Sequence, residues 1–165
     1  MVGGRPENRF SSRRVVSAST EEPRSYDRER DGPLMEYDGF DDSLAFLAEA
    51  WQREGPFDGI FGFSQGAMLA AVFVMHPNYR ELIASAKFAC IVSGTLPRDP
   101  KFAEVLSEME LPSFHVYGEA DEIVPGARSL ELAEFFPARV VHSHPGGHAL
   151  PSTAAKALRE FCDAI

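Results

Sequence analysis

Cysteine is scarce in this chain of 165 residues: there are two, Cys90 and Cys162. With no secretory leader expected ahead of them, two cysteines argue against a disulfide, and both read as buried free thiols. Long apolar runs are missing too. No stretch approaches the ~20 residues that span a bilayer, and the N-terminus lacks the apolar segment of a secretory signal. Basic charge is in deficit: 16 Lys and Arg against 25 Asp and Glu give a formal net charge of −9. That balance argues against nucleic acid and anionic membrane surfaces as partners. No internal repeat is visible, which excludes solenoids and propellers. The expected compartment is the cytoplasm. An Arg- and Ser-rich start, with Glu7 its one acidic residue among the first 20, leaves an organellar transit peptide as the alternative.

What is present is core material for one domain. Thirteen Phe supply bulk, and a chain of this length buries enough surface to fold without staples. The distribution is uneven. From residue 1 to 33, Arg5, Arg9, Arg13, Arg14, Arg24, Arg28 and Arg30 mix with Glu21, Glu22, Asp27, Glu29 and Asp31. Apolar residues there follow no period, so this stretch reads as an irregular or disordered arm. The folded domain is expected over 36–165, with order beginning near Gly39.

From there, strand and helix patterns alternate. Asp41 or Asp42 is placed to cap a helix running to Arg53, and Gly55 to end it. Leu44, Leu47, Ala48 and Trp51 share one helical face. Phe57–Phe61 reads as a strand, and Gln65–Met75 as a helix closed by Pro77. Lys87–Ser93 is apolar enough for a strand buried on both faces. Ser113–Tyr117 is a further strand, Ala127–Phe135 a helix, and Val140 and Val141 mark a fourth strand. Pro151–Ile165 reads as a final helix with an apolar face of Leu158, Phe161, Cys162 and Ile165. This alternation predicts an α/β fold: a parallel sheet covered by helices on both faces. Functional groups in such sheets gather just past the carboxyl ends of the strands.

Three motifs fall at such ends. Gly62-Phe63-Ser64-Gln65-Gly66 fits G-x-S-x-G, a pattern met by chance in about one chain in twenty of this size. Its setting between a predicted strand and a predicted helix is what a nucleophile elbow requires. So sharp a turn strains the Ser64 backbone and is expected to crowd its flanking residues, which Gly62 and Gly66 relieve. Ala67 and Ala70 would let the helix approach the sheet. The elbow aims the Ser64 hydroxyl at the positive end of the helix, where the Gln65 backbone N–H can face an oxyanion.

A serine hydroxyl needs a base, and in enzymes built on this elbow the chain order is Ser, then Asp or Glu, then His. Asp121 lies on the loop after the Ser113 strand, with Glu119 and Glu122 as rivals. His142, His144 and His148 follow the fourth strand. His148 is favoured because Gly146 and Gly147 free the backbone to swing it across the sheet end. His148 would serve as general base and acid, and Asp121 would fix its tautomer. The three histidines lack the spacing of common zinc motifs, so no metal is expected.

With these motifs in place, the chain resembles the FSH family of small serine hydrolases. The likeness runs through Gly55–Ala67, Val92-Ser93-Gly94, Pro112–Gly118, Asp121 with Val124-Pro125, and His144–Pro151, in that order, and covers about residues 36–165. The resemblance implies an α/β-hydrolase fold without a large lid domain. It also implies esterase or thioesterase chemistry on small acyl esters or thioesters, with no cofactor. One departure stands out. Family members usually open with a strand ending in a Leu-His-Gly-like loop, then a helix and a second strand, and nothing before Gly39 has that pattern. The fold is therefore expected to be N-terminally truncated, short of one oxyanion N–H and open along the edge of the Phe57–Phe61 strand. Leu96, Phe102, Val105 and Leu106 are candidates for core or for an acyl pocket. The alternative to an esterase is a catalytically impaired fragment of the same fold that acts through binding.

Overall fold

The computed structural model describes residues 11–14 and 35–165, the former as backbone only. Strand β1 (Ser11–Arg14) pairs antiparallel with β2 (Met35–Asp38), so that Ser11 lies opposite Asp38 and Arg14 opposite Met35. This corrects the expectation of an irregular arm at residues 11–14; the rest of that arm lies outside the described residues. Helix α1 (Phe40–Glu54) follows. Its cap is Gly39 in a left-handed conformation (φ 77°), not Asp41 or Asp42, which occupy the first turn instead. Both acids are well placed there against the helix dipole. Ser43 donates from both N–H and Oγ to the Gly39 carbonyl, which anchors the start.

The main sheet begins with β3 (Gly59–Phe63), two residues later than the sequence pattern suggests. Pairing decides this: Gly59 registers with Phe88 and Phe63 with Val92. Helix α2 (Gln65–Met75) leads to β4 (Phe88–Val92), and the short α3 (Pro100–Ala103) to β5 (Ser113–Gly118). Helix α4 (Gly126–Ala133), β6 (Arg139–His144) and α5 (Ala154–Asp163) complete the order. The four strands lie side by side as β3-β4-β5-β6, all parallel.

Sequential order with right-handed crossovers puts the intervening helices on one face. There Phe40, Leu44 and Trp51 of α1, most of α2, Phe102 of α3 and Leu132 of α4 bury against Ala89 and Ile91 of β4. The alternate residues of β4 and β5, Cys90, Val92, Phe114 and Val116, face the other way and are covered by Ala154 and Phe161 of α5. Helices thus cover both faces, as expected. Phe102 is core, Leu96 and Leu106 are partly buried against the same cluster, and Val105 is exposed.

Two expectations fail on α5. Its buried residues are Ala154 and Phe161, and Ile165 is exposed. Cys90 is buried as predicted, but Cys162 is exposed. Among the described residues β3 has a neighbour on one side only. Because Ser64 N–H donates to the Val92 carbonyl, the parallel ladder directs the backbone N–H and C=O groups of Ile60 and Gly62 toward β4, and those of Gly59, Phe61 and Phe63 toward the other edge. Phe61 is 54% exposed on that open edge.

Candidate active site

Ser64 sits between β3 and α2 with φ 56° and ψ −120°, a conformation rarely adopted by a residue with a side chain. The strain is imposed from both sides. Ser64 N–H is tied to Val92, and its carbonyl accepts the Ala67 and Met68 amides that start the helix. Ala67 and Ala70 are buried, which lets α2 lie close on the sheet. A Cβ at Gly62 would stand 2.3 Å from the Gly66 carbonyl oxygen and 2.6 Å from Ala67 Cα. Gly62 is therefore required by close approach, as expected. Gly66 is not: a Cβ there meets nothing within 4 Å. The crowding at the elbow bears on one glycine, because the strand residue points into the helix while the helix residue points away. Gln65 is the first residue of α2, so its N–H has no acceptor within the helix and is free for an external oxygen.

Asp121 and His148 arrive on two loops stitched together beyond β5 and β6. Glu119 N–H donates to the His144 carbonyl and Ala120 N–H to the Gly146 carbonyl. The contact is so close that a Cβ on Gly118 would lie 2.4 Å from the carbonyl oxygens of Gly146 and Gly147. Asp121 Oδ1 accepts the Ile123 and Val124 amides, each at 2.9 Å. Its Oδ2 lies 2.8 Å from His148 Nδ1, and His148 Nε2 lies 2.8 Å from Ser64 Oγ. A carboxylate only accepts, so Nδ1 carries the proton and donates to Oδ2. Nε2 then accepts from the Ser64 hydroxyl. Asp121 is fully covered, with 0% of its side chain exposed. Burial works to raise its pKa, but the Val124 amide, His148, the Ile123 amide and the Ser93 hydroxyl outweigh it and hold the carboxyl below the ordinary range.

The structure thus brings Ser64, Asp121 and His148 together and leaves their rivals apart. Glu119 accepts from Ser143 Oγ at the surface, and Glu122 is exposed. His142 stacks on Phe114, and buried His144 accepts the Gly146 amide at Nδ1. Among the described residues, no three His, Cys, Asp or Glu side chains gather as metal ligands. Sequence reasoning missed Phe63, whose ring packs 4.9 Å from the His148 ring. It also missed the amides on Oδ1, although an Asp two and three residues ahead of its own acceptor contacts is the mark of an Asx turn. An apolar cleft of about 300 Å³ runs between the sheet and the start of α5, walled by Cys90, Phe114, Val116, Leu150, Pro151 and Leu158 among others.

Comparison with known proteins places this geometry in context. A family model described as "Serine hydrolase (FSH1)" matches residues 5–159, starting well upstream of residue 36. The human protein named Esterase OVCA2 is 40% identical over 130 residues, covering 76% of this chain and 57% of that protein. The chain therefore spans a little over half the length of that relative. Among solved structures, acyl-protein thioesterase 2 of Zea mays superposes with a TM-score of 0.57 at 20% identity, covering 76% of this chain and 64% of the other. A Bacillus cereus carboxylesterase gives 0.55 at 23% identity, covering 77% and 60%. At these identities the structural likeness shows the fold, which is that of α/β-hydrolase esterases.

Proposed function

From the premise that the chain belongs to the FSH1 serine hydrolase family, we propose that it cleaves small carboxylic esters or thioesters through an acyl-enzyme on Ser64. The observation that carries this reading is the relay from Ser64 Oγ through His148 to Asp121, with 2.8 Å at both links. Ser64 Oγ attacks the carbonyl carbon as its proton passes to His148 Nε2. The Gln65 N–H receives the negative oxygen, and Asp121 stabilises the imidazolium. The leaving alkoxide or thiolate takes the proton from His148. Water then repeats the sequence and frees the acid and Ser64. No step calls for a cofactor. The apolar cleft walled by Phe114, Val116, Leu150 and Leu158 among others suits an acyl chain better than a charged group. Each oxyanion donor in such a site is worth about 10²–10³ in turnover, which sets the weight carried by the Gln65 N–H.

Fluorophosphonate labelling and p-nitrophenyl ester turnover, run on the chain and on Ser64→Ala, test the proposal. Labelling and turnover that both vanish in Ser64→Ala support it, and a series of acyl lengths then reads the cleft. A folded, monodisperse sample that neither labels nor turns over sinks it in favour of a non-catalytic member of the fold.

A further inference from the structure

Val92-Ser93-Gly94 ends β4, the strand that lies between the strand leading to Ser64 and the strand leading to Asp121. Ser93 is held in the left-handed region at φ 47°; with Ser64 it is one of two non-glycine residues with positive φ among those described. It is completely buried, and its Oγ completes no hydrogen bond. The turn is clamped around it. Ser93 N–H donates to the Val116 carbonyl, and the Gly94 carbonyl accepts from Ser129 Oγ. A Cβ on Gly94 would stand 2.7 Å from Ile91 and 3.1 Å from the Ala67 side chain.

A strained residue with a buried, unpartnered hydroxyl is costly twice over. Glycine would relieve the backbone, and alanine would remove the orphan oxygen. Such a residue persists where its side chain has a use. The use is visible nearby. Ser93 N–H is tied to β5, the strand whose following loop carries Asp121, and the Ser93 hydroxyl is among the groups that act against desolvation to hold the Asp121 carboxyl low. Asp121 Oδ1 already accepts two amides, which leaves spare acceptor capacity on Oδ2, the oxygen that holds His148. A hydroxyl rotor pointed there completes the carboxylate's shell at the moment charge develops on the imidazole.

We infer that Ser93 is a positioning residue: its hydroxyl, fixed by the left-handed turn at the end of β4, aligns the Asp121 carboxylate with His148. The inference rests on the proposed hydrolase reading for its kinetic consequence, but not for its geometry.

The test uses Ser93→Ala and Ser93→Gly in the full chain, with Ser93→Gly relieving the strain so that misfolding does not mask the result. Steady-state ester hydrolysis is expected to show kcat lowered about tenfold, the worth of one hydrogen bond to a charged group, with KM changed less than roughly twofold. The acid limb of kcat/KM moves to higher pH, because a carboxylate that has lost a donor holds the His148 proton more strongly. A merely structural serine would lower Tm and leave that limb in place. Unchanged kcat and pH profile in both variants, beside an active wild type, overturn the inference. Where the wild type itself neither labels nor turns over, the hydrolase reading fails separately. NMR titration of the His148 ring then decides: a displaced curve in Ser93→Gly supports the positioning role, and coincident curves refute it.

Discussion

Replacing Asp121 with asparagine isolates the tautomer of His148 from everything else the aspartate does. The asparagine Oδ1 is expected to keep the Ile123 and Val124 amides, whose 2.9 Å bonds fix which side of the group must be oxygen. The amide NH₂ then falls where Oδ2 stands, 2.8 Å from His148 Nδ1. Two donors cannot face each other there, so the imidazole surrenders its Nδ1 proton and carries it on Nε2, toward Ser64. The base no longer presents a lone pair to the hydroxyl 2.8 Å away. Wrong-tautomer substitutions in Ser-His-Asp enzymes cost about 10⁴ in kcat, or ~5.5 kcal/mol at 1.36 kcal/mol per decade. The assay is p-nitrophenyl ester turnover together with the rate of fluorophosphonate inactivation, read beside Tm. Because the amide contacts survive, Tm should stay near the wild-type value, and Glu119→Gln should leave the rate unchanged. An Asp121→Asn variant retaining more than about a tenth of the turnover would refute the assignment of Asp121 as the acid, since no correct tautomer survives that geometry.

Other expectations follow from neighbouring features. Gly62→Ala drives a methyl into the Gly66 and Ala67 backbone and should cost several kcal/mol, whereas Gly66→Ala should be neutral or stabilising by up to ~1 kcal/mol; chemical denaturation of the pair checks the contrast. Burial, aided by the Arg139 charge, pushes His115 down to about 4. A His neutral in the folded state and titrating near 6.5 when unfolded contributes stability that is complete above pH 6.5 and is lost as pH falls toward 4, on the order of 3 kcal/mol at 1.36 kcal/mol per pH unit. His115→Gln should flatten that loss in a pH series of urea melts, and an identical slope in both proteins would rule it out. Burial also pushes the Cys90 thiol up to about 12, while Cys162 is exposed. A disulfide reagent should therefore titrate one thiol in native protein and two in denaturant, and Cys162→Ser should abolish the native signal.

How far the fold is legible in the residues depends on the force that decides each element. β4 and α2 are apolar on nearly every side, so burial alone specifies them, and the limits the sequence predicts lie within a residue of those observed. Likewise Ser64, Asp121 and His148 stand at strand ends, where the topology converges. The misses lie where backbone pairing or exact helical phase decides. Ser11–Arg14 has no apolar alternation and is a strand by pairing with β2. The start of β3 is fixed by register with β4, not by its own composition. α5 is rotated so that Ala154 and Phe161 face the sheet and Cys162 does not, a difference of one residue in phase. Ser93 carries no sign of a positive φ, because serine, unlike glycine, does not advertise it.

The wide spacing of the relay has a consequence for the newborn chain. His148 meets Ser64 across 84 residues, so a ribosome adding 5–20 residues per second leaves roughly 4–17 s between emergence of the two. Throughout that interval the serine is chemically inert, an alcohol with no partner to take its proton. On the proposed mechanism, reactivity switches on only after β6 has been made and docked. A molecule tagged by a phosphonate would then have been made at least through His148 and would have docked β3 to β6, so the tagged fraction would count assembled sites in a mixture where an antibody or a stain would count every copy alike.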